Sequence, residues 1–188
     1  MRVETDRLIL RRWEKRDHEP FAALNADPEV MRYMTGMLSF QQSVSMIDRI
    51  DAEFDQVGFG LWAIELKETG EFAGWVGLHR VPFEAHFTPA VEVGWRLARE
   101  HWGNGYATEG GRAALKFGFE EIGLDEIVSF TVPANLKSIA VMERLGMQRG
   151  ADAEFQHPRL PDGHRLKPHV LYRLSRNHMT IPPSTVKT

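Results

Sequence analysis

The chain has 188 residues, with 23 Lys and Arg against 26 Asp and Glu, a formal net charge of −3, and no cysteine. This length suits one domain with a sizeable core, and the interleaved charges leave no basic face for nonspecific nucleic-acid or membrane-surface binding. The lack of cysteine excludes disulfides, Cys-based metal sites and a cysteinyl acyl intermediate.

The organisation of the chain is expected to be simple. No apolar run is long enough to span a bilayer, and residues 1–7 lack the apolar core of a secretory signal. We therefore expect a cytoplasmic protein with no membrane partner and no nucleic-acid partner. Residues 1–176 are expected to form one domain, and the Pro-containing residues 177–188 to form a frayed tail.

The first half of the sequence predicts one strand followed by two helices. Residues 8–10 form the strand, and Asp17 is the expected N-cap of a helix that ends near Asn25. Ser39 and Gln42 are spaced as a capping box, which opens a second helix that ends at two closely spaced glycines.

The second half predicts a hairpin and then alternating strands and helices. The expected strands lie at residues 61–67, 72–81, 91–97 and 127–132, and the expected helices at about 106–122 and 138–145. A last hairpin is expected between residues 155 and 174, around a Pro-Asp-Gly turn. Helices that precede a hairpin, followed by strand–helix units, predict a mixed α/β (α+β) fold in which helices cover one sheet.

A glycine-containing turn, Trp-Gly-Asn-Gly-Tyr-Ala at residues 102–107, joins a predicted strand to a predicted helix. Two glycines allow a tight turn and a close backbone approach, and the helix start leaves unpaired N–H donors at its positive end. These features predict an anion site suited to a pyrophosphate. The turn lacks the Lys-Ser/Thr of a P-loop and the third glycine of the dinucleotide fingerprint. From spacing alone, an ordinary strand-to-helix turn stays an equal alternative.

Five segments together resemble the GNAT superfamily of N-acetyltransferases, in the branch typified by the bacterial ribosomal-protein alanine N-acetyltransferases. They are Thr-Asp-Arg-Leu-Ile-Leu-Arg at 5–11, Val-Glu-Val-Gly-Trp-Arg-Leu at 91–97, the turn at 102–107, Asn135 to Ser138 with Glu-Arg-Leu-Gly-Met at 143–147, and His-Val-Leu-Tyr-Arg-Leu at 169–174. The resemblance covers about residues 3–175. It implies the GNAT acyl-CoA N-acyltransferase fold, a mixed, mostly antiparallel central sheet with a splay, flanked by helices.

By this resemblance the co-substrate is acetyl-CoA, and no metal is expected. The backbone at 95–97 is expected to pair with the pantetheine arm, and the turn to hold the pyrophosphate through N–H groups. The implied cofactor-binding residues are Trp95, Arg96, Leu97, Trp102, Gly103, Asn104, Gly105, Tyr106, Ala107, Thr108, Asn135 and Ser138. Trp102 stands where Gln or Arg is usual. Arg99, Arg112 and Lys137 are either contacts for the CoA 3′-phosphate or solvated surface residues.

The acid side of the reaction departs from the family pattern. Asn135 and Ser138 match positions that line the cofactor near its sulfur, although both are also ordinary residues for a helix start. The tyrosine that many relatives use to protonate the thiolate is replaced by Met142. Ser138 or an ordered water is the remaining donor. Because a free thiol has a pKa of ~8.5, expelling the unprotonated thiolate at pH 7 costs only ~2 kcal/mol, which a hydroxyl or water donor can supply.

Glu92 is the predicted general base, since it lies in the strand that leads to the cofactor segment. Strand alternation places it on the face opposite Val93, and a charge facing helices or solvent is the alternative. His79, His157 and His164 offer a second route, because neutral imidazole accepts protons near pH 7.

The predicted function is direct transfer of acetyl from acetyl-CoA to a primary amine in a ternary complex. Deprotonating an α-amine at pH 7 costs ~1.4 kcal/mol and a lysine amine nearly ~5 kcal/mol, which favours a peptide N-terminus or a small α-amino compound. Tyr33, Met34 and Phe40 are candidates for the wall of the acceptor pocket.

Two other functions are left open by the sequence. One is a catalytically silent acyl-CoA-binding sensor or interaction module, and the other is a nucleotide-binding protein that uses the same turn. The identity of the amine is also open, as is the oligomeric state, for which a homodimer is one arrangement common among relatives.

Overall fold

The structure, a computed structural model, describes residues 2–179, which fold around one eight-stranded sheet. The strands are β1 (Arg2–Glu4), β2 (Leu8–Arg11), β3 (Leu61–Leu66), β4 (Phe72–Arg80), β5 (Val91–Leu97), β6 (Glu126–Thr131), β7 (Glu154–Gln156) and β8 (Pro168–Ser175). The helices are α1 (His18–Ala26), α2 (Phe40–Val57), α3 (Tyr106–Phe117) and α4 (Leu136–Arg144). The predicted tail begins within the short turn Arg176–His178, and its residues 180–188 lie outside the described part.

The strand order is β1-β2-β3-β4-β5-β6-β8-β7. Every neighbouring pair is antiparallel except β5 and β6, which run parallel and meet at one register position, Glu92 against Val128. Beyond this position the two strands separate toward the C-terminal end of β5. The prediction of a mixed, mostly antiparallel sheet with a splay is therefore confirmed.

The two faces of the sheet have different coverings. On the first face α3 packs closely, because Gly110 allows its backbone to approach Val76 of β4, where a Cβ would lie 2.9 Å from that side chain. Gly111 similarly approaches Leu145, the residue after α4. On the second face α1 reaches β5, where Arg96 hydrogen-bonds Asn25, and α2 packs along α1.

Capping residues and turn residues in the sequence predicted most boundaries of the helices and strands. The capping box is confirmed, since Ser39 Oγ accepts from Gln42 N and the Gln42 side chain accepts from Ser39 N. The sequence did not predict β1, whose three residues pair only along β2. Helix α4 begins at Leu136 rather than at Ser138, because Asn135 is its N-cap.

Asp17 is the N-cap residue of α1, as predicted. Its side chain, however, makes no cap hydrogen bond to the helix. Both of its carboxylate oxygens instead accept from the Arg11 guanidinium, at 2.7 and 2.9 Å. Arg11 also donates to Glu65 at 2.7 Å. Arg11 and Asp17 are both buried, so this ion pair links β2 and β3 to the start of α1 in a low-dielectric setting.

We expect Asp17→Asn to lower the free energy of unfolding by about 3 kcal/mol, because removal of one partner leaves a buried guanidinium undercompensated. Asp55→Asn is the matched control, since the Asp55 side chain pairs with Arg12 but is 73% exposed. That control should change stability by about 0.5 kcal/mol or less. Urea unfolding at pH 7 measures both, and equal small losses would contradict the importance of the buried pair.

Glu65 should also make stability sensitive to acid. The hydrogen bond from Arg11 outweighs burial and holds the pKa of Glu65 below its ordinary value of 4.5. The stabilisation is therefore complete above about pH 5 and is lost as the pH falls through the lowered folded-state pKa. Glu65→Gln should show a shallower loss of stability between about pH 5 and pH 3. Identical pH slopes for the two proteins would contradict this role.

Candidate active site

The splay between β5 and β6 exposes an edge of backbone. The Ala98 N–H, just after β5, donates to the Ala73 carbonyl of β4 at 3.0 Å, which fixes the direction in which backbone groups alternate along β5. The N–H and C=O groups of Trp95 and Leu97 therefore point into the splay, away from β4. The N–H and C=O groups of Arg96 point instead to β4, where Arg96 pairs with Trp75. Only Trp95 and Leu97 can offer backbone pairing to a ligand on this edge, and Arg96 can contribute only its side chain.

The turn predicted to bind phosphate stands at the end of this edge. Gly103 and Gly105 adopt φ values of +80° and +81°, which favour glycine at both positions. Gly105 is the N-cap of α3 and provides no side-chain cap. The first helical bond runs from Glu109 N to Gly105 O. The N–H groups of residues 106–108 are consequently left without helical partners and are suited to an anion.

The segment at the start of the chain braces this turn through Glu109. Its carboxylate accepts from Thr5 Oγ1 at 2.6 Å, from Arg7 N at 2.9 Å and from Arg7 Nε at 2.7 Å. Arg7 also donates to the carbonyl of Asn104 at 2.9 Å and stacks on Tyr106 with 4.7 Å between Cζ and the ring centre. Burial opposes ionisation of Glu109, but these hydrogen bonds outweigh it and hold its pKa below 4.5. Two segments of the resemblance, far apart in sequence, therefore form one unit.

Trp102 has a role of its own at the place where Gln or Arg is usual. Its indole N–H donates to the Leu97 carbonyl at 2.9 Å, which ties the turn to the end of β5. The ammonium of Lys137, on α4, lies 3.9 Å from the centre of the Trp102 ring. This cation–π contact joins the two sides of the splay.

On the far side of the splay, Asn135 acts as the N-cap of α4. Its Oδ1 accepts from Ser138 N at 3.4 Å, and its Nδ2 donates to Thr131 Oγ1 at 3.0 Å. Met142, at the position of the family tyrosine, is 1% exposed and packs in the core. The Ser138 hydroxyl makes no hydrogen bond among residues 2–179, so it is available as a donor.

Glu92 lies at the apex of the splay, in the last pairing position of β5 and β6. It also faces His79 across the β4–β5 pair, and its Oε2 is 2.9 Å from His79 Nε2. Burial opposes protonation of His79, but the charge and hydrogen bond of Glu92 outweigh it and raise the pKa of His79 above 6.5. The structure thus brings together two residues that the sequence offered as alternative bases.

His157 and His164, the other two histidines considered as bases, make local hydrogen bonds in turns. His157 Nδ1 accepts from Arg159 N at 3.3 Å, and His164 Nδ1 accepts from Leu166 N at 3.2 Å. Burial, and then the charge of Arg159, lower the pKa of His157. Neither histidine makes the direct carboxylate contact that His79 makes.

Three loops border the second face beside Glu92. Tyr33, in the α1–α2 loop, donates to the Ala134 carbonyl at 2.9 Å, and Arg165 donates to the Arg32 carbonyl at 2.9 Å. An aromatic cluster covers this face over β6, β8 and β7, and consists of Phe83, Phe87, Phe130 and Phe155 with His86, His157 and His169. Phe40, a predicted pocket residue, is 53% exposed at the start of α2. The candidate acceptor site therefore lies between the α1–α2 loop, the β7–β8 loop and the aromatic cluster.

Two further properties concern residues 2–179 as a whole. Nowhere in this range do three or more His, Asp or Glu side chains cluster in a way that could hold a metal ion. Across the same residues, no helix is long and apolar enough to cross a membrane.

Over residues 7–148 the sequence matches the family described as Acetyltransferase (GNAT) domain. The chain belongs to the GNAT acetyltransferases. This confirms the predicted superfamily, the fold and the enzyme class of acetyltransferase. The open strand edge, the N-capping glycine turn and the apex carboxylate are thus parts of a GNAT enzyme, whose fold uses acetyl-CoA.

Sequence relatives include proteins of bacteria and of a fungus. This GNAT enzyme is 38% identical to YkkB of Bacillus subtilis over 147 residues, 78% of this chain and 84% of YkkB. It is 33% identical to the N-acetyltransferase YoaA of the same species, over 78% of this chain and 82% of YoaA. Both are uncharacterized. It is also 34% identical to the FsC-acetyl coenzyme A-N(2)-transacetylase of Aspergillus fumigatus, over 70% of this chain and 58% of that protein.

Solved structures share the fold over nearly the whole chain. A GNAT-family acetyltransferase of Bacillus anthracis has a TM-score of 0.77 at 26% identity, covering 93% of this chain and 98% of that one. RimJ of Mycobacterium smegmatis, in complex with CoA-disulfide, has a TM-score of 0.75 at 22% identity, covering 93% and 84%. The second likeness concerns the fold alone, so membership of the ribosomal-protein branch stays a prediction.

Sequence reasoning missed three side-chain relations in this GNAT site. They are the contact of His79 with Glu92, the brace of Glu109 on the first strand pair, and the bond of Arg96 to Asn25. Each joins residues on different elements, and the β4–β5 connection is too long for the register to follow from a turn type. The charged residue facing Glu92 could be found only after the register was known.

We expect Glu109→Ala to weaken CoA binding about tenfold, or ~1.4 kcal/mol, because the turn loses its brace. This substitution also removes a negative charge beside the phosphate site, so electrostatics alone would strengthen binding. Glu100→Ala is the matched control, since it removes an exposed carboxylate just before the turn. Calorimetric titration with CoA measures both, and tighter binding by Glu109→Ala would contradict the brace.

Proposed function

We infer that the protein transfers acetyl from acetyl-CoA to a primary amine by direct attack in a ternary complex. The observation that supports this most is the continuity of three features along β5. Free N–H donors at 106–108 follow the open backbone edge of Trp95 and Leu97, and that edge leads to Glu92 at the apex of the splay. A pyrophosphate, an uncharged pantetheine arm and a thioester fit this order. The amine would approach from the second face.

Glu92 is the proposed general base, acting on the amine directly or through one water. The imidazole of His79 would orient the carboxylate, as its 2.9 Å contact with Oε2 supports. Such a pair needs only modest basicity for an α-amine, whose deprotonation at pH 7 costs ~1.4 kcal/mol. Most of the rate would come from bringing amine and thioester together.

The leaving thiolate would be protonated by the Ser138 hydroxyl or by a water near it. The alternative of a family tyrosine is closed by Met142, which lies in the core. The Leu97 and Trp95 N–H groups are the donors available to stabilise the oxyanion of the tetrahedral intermediate. No step of this mechanism requires a metal.

The acceptor class that we favour is an α-amine on a small molecule or a peptide N-terminus. The pKa argument supports it, and so does the name of the fungal relative, which specifies transfer at a nitrogen designated N(2). A ribosomal-protein N-terminus is one candidate within this class, as the resemblance of five segments suggests. We propose that the reaction takes place in the cytoplasm and needs no nucleic-acid or membrane partner.

Acetyl-CoA turnover with a panel of amines and peptides, followed by release of free thiol, tests the proposal. We expect release with at least one α-amine and none without acceptor. Gly105→Val should abolish both CoA binding and release, because a β-branched residue is strained at φ +81°. CoA binding without release for every amine would favour the silent sensor, and thermal stabilisation by ATP or NAD rather than CoA would favour a nucleotide-binding protein.

Glu92→Gln should lower kcat by about 10²–10³ while leaving CoA affinity unchanged, because it removes the proton acceptor and its charge on His79 without altering the turn or the open edge. Glu53→Gln is the matched control, since Glu53 is another carboxylate close enough to influence His79 but belongs to α2. Steady-state rates with a reactive amine measure both. An unchanged kcat in Glu92→Gln would remove Glu92 from the role of base.

A further inference from the structure

Arg96 projects from β5 onto the second face, opposite to the face that buries Val93. Its guanidinium stacks on Trp75, with 5.3 Å between Cζ and the ring centre. Nη1 donates to Asn25 Oδ1 at 2.7 Å, and Nη2 lies 3.1 Å from the sulfur of Met34. Asn25 and Met34 are both neutral, so they fix the position of the guanidinium without neutralising its positive charge.

This lack of compensation is unusual for a charge that is largely buried. Within residues 2–179, no carboxylate lies within ion-pair distance of the Arg96 guanidinium, and burial alone lowers its pKa to about 10. It is still protonated at pH 7. The indole N–H of Trp75, the residue beneath it, is also buried without a hydrogen-bond partner. The cluster therefore contains more donors than acceptors, which favours an anionic ligand.

The position of Arg96 is set by a buried chain of polar groups. Asn25 Nδ2 donates to Ser43 Oγ at 3.1 Å, and Ser43 Oγ donates to the Ser39 carbonyl at 3.0 Å. Asn25 and Ser43 are both 0% exposed. Because the amide nitrogen is engaged by Ser43, its oxygen faces Arg96. An aspartate at position 25 would make an internal ion pair, whereas the amide orients the guanidinium and leaves its charge for another partner.

Arg96 shares a strand face with Glu92, and Gly94 separates them. At ~3.3 Å per residue the two Cα atoms are about 13 Å apart. This face therefore carries a negative group at the apex of the splay and a positive group nearer to the α1–α2 loop. The arrangement is complementary to a molecule with an ammonium at one end and a carboxylate at the other. The pantetheine arm beside it is uncharged, so acetyl-CoA supplies no anion here.

We propose that Arg96, oriented by Asn25 and Ser43, binds the carboxylate of the acceptor, so that the acceptor is a small amino acid rather than a protein N-terminus. This inference rests on the proposed acetyl transfer and names the class of its substrate. The amine is directed to Glu92 and the thioester, while the carboxylate pairs with Arg96. Arg96 acts in specificity and takes no part in proton transfer.

The test compares amino acids with their carboxamides, from glycine to ω-amino acids of increasing length. A carboxamide is a less basic amine than its acid and is intrinsically easier to deprotonate, so preference for the acid reports recognition. We expect kcat/KM to favour the best acid at least ~30-fold over its amide. Equal use of acids and amides, or preference for longer peptides, would overturn the proposal.

Asn25→Asp is the decisive variant, because it places a carboxylate against Arg96 with almost no change in shape. The acid-to-amide ratio should fall to near one while CoA binding is kept, and loss of the bond from the amide nitrogen to Ser43 should cost only a part of the stability. Asn177→Asp adds the same charge at an exposed position and should keep the ratio. Arg96→Gln should also lower the acid-to-amide ratio to near one. Arg49→Gln, on the exposed side of α2, should leave that ratio unchanged. A ratio that survives both Asn25→Asp and Arg96→Gln would overturn the role of Arg96.

A binding measurement separates this inference from the acetyl transfer on which it rests. Calorimetry with the CoA complex should show binding of an N-acetylated amino acid at least ~30-fold tighter than of its carboxamide. If no amine is acetylated but this selectivity is present and is lost in Asn25→Asp, the proposed function fails and the carboxylate site stands. If neither kcat/KM nor binding favours the acid over its carboxamide, the carboxylate site is wrong even when acetyl transfer is observed.

Discussion

The separation of β5 from β6 beyond Glu92 is the constraint on which the rest of the site depends. Backbone N–H and C=O groups inside a fold must find partners, and no neighbouring strand pairs with Trp95 or Leu97, although the Leu97 carbonyl accepts from the Trp102 indole. A ligand with amide groups, such as a pantetheine arm, can complete the sheet there. The glycine turn at residues 102–107 and the Glu92 carboxylate lie at the two ends of this open edge.

The near-neutral charge of the chain is compatible with binding a highly charged cofactor, because backbone N–H groups can bind phosphates without a basic patch. Residues 106–108 present N–H donors at a helix start, and Arg7, which stacks on Tyr106, is engaged with Glu109 and Asn104. Arg11 is likewise neutralised by Asp17. Arg96 differs from these arginines in having only neutral partners, and this difference is what points to an anionic acceptor.

The lack of cysteine is compatible with the same chemistry. No protein thiol can carry the acetyl group, so the sulfur of the acyl donor must arrive with the cofactor. Met142 stands at the position of the usual phenolic acid and is buried in the core, so that acid is absent here. A mechanism in which the amine attacks the thioester directly, with a carboxylate as base and a hydroxyl or water as acid, needs neither a cysteine nor that tyrosine.

The sequence by itself determined every strand except β1, together with the capping box, the glycine turn and the family, because these depend on local backbone chemistry and on residues close together in the chain. It also placed Glu92 opposite Val93 by alternation. Only the tertiary structure decided that His79 faces Glu92, that Glu109 braces the turn, and that the side chain of Asp17 pairs with Arg11. It also decided that Arg96 meets Asn25. These contacts depend on strand register and on how helices cross the sheet, which are set by the packing of the whole core and not by any single segment.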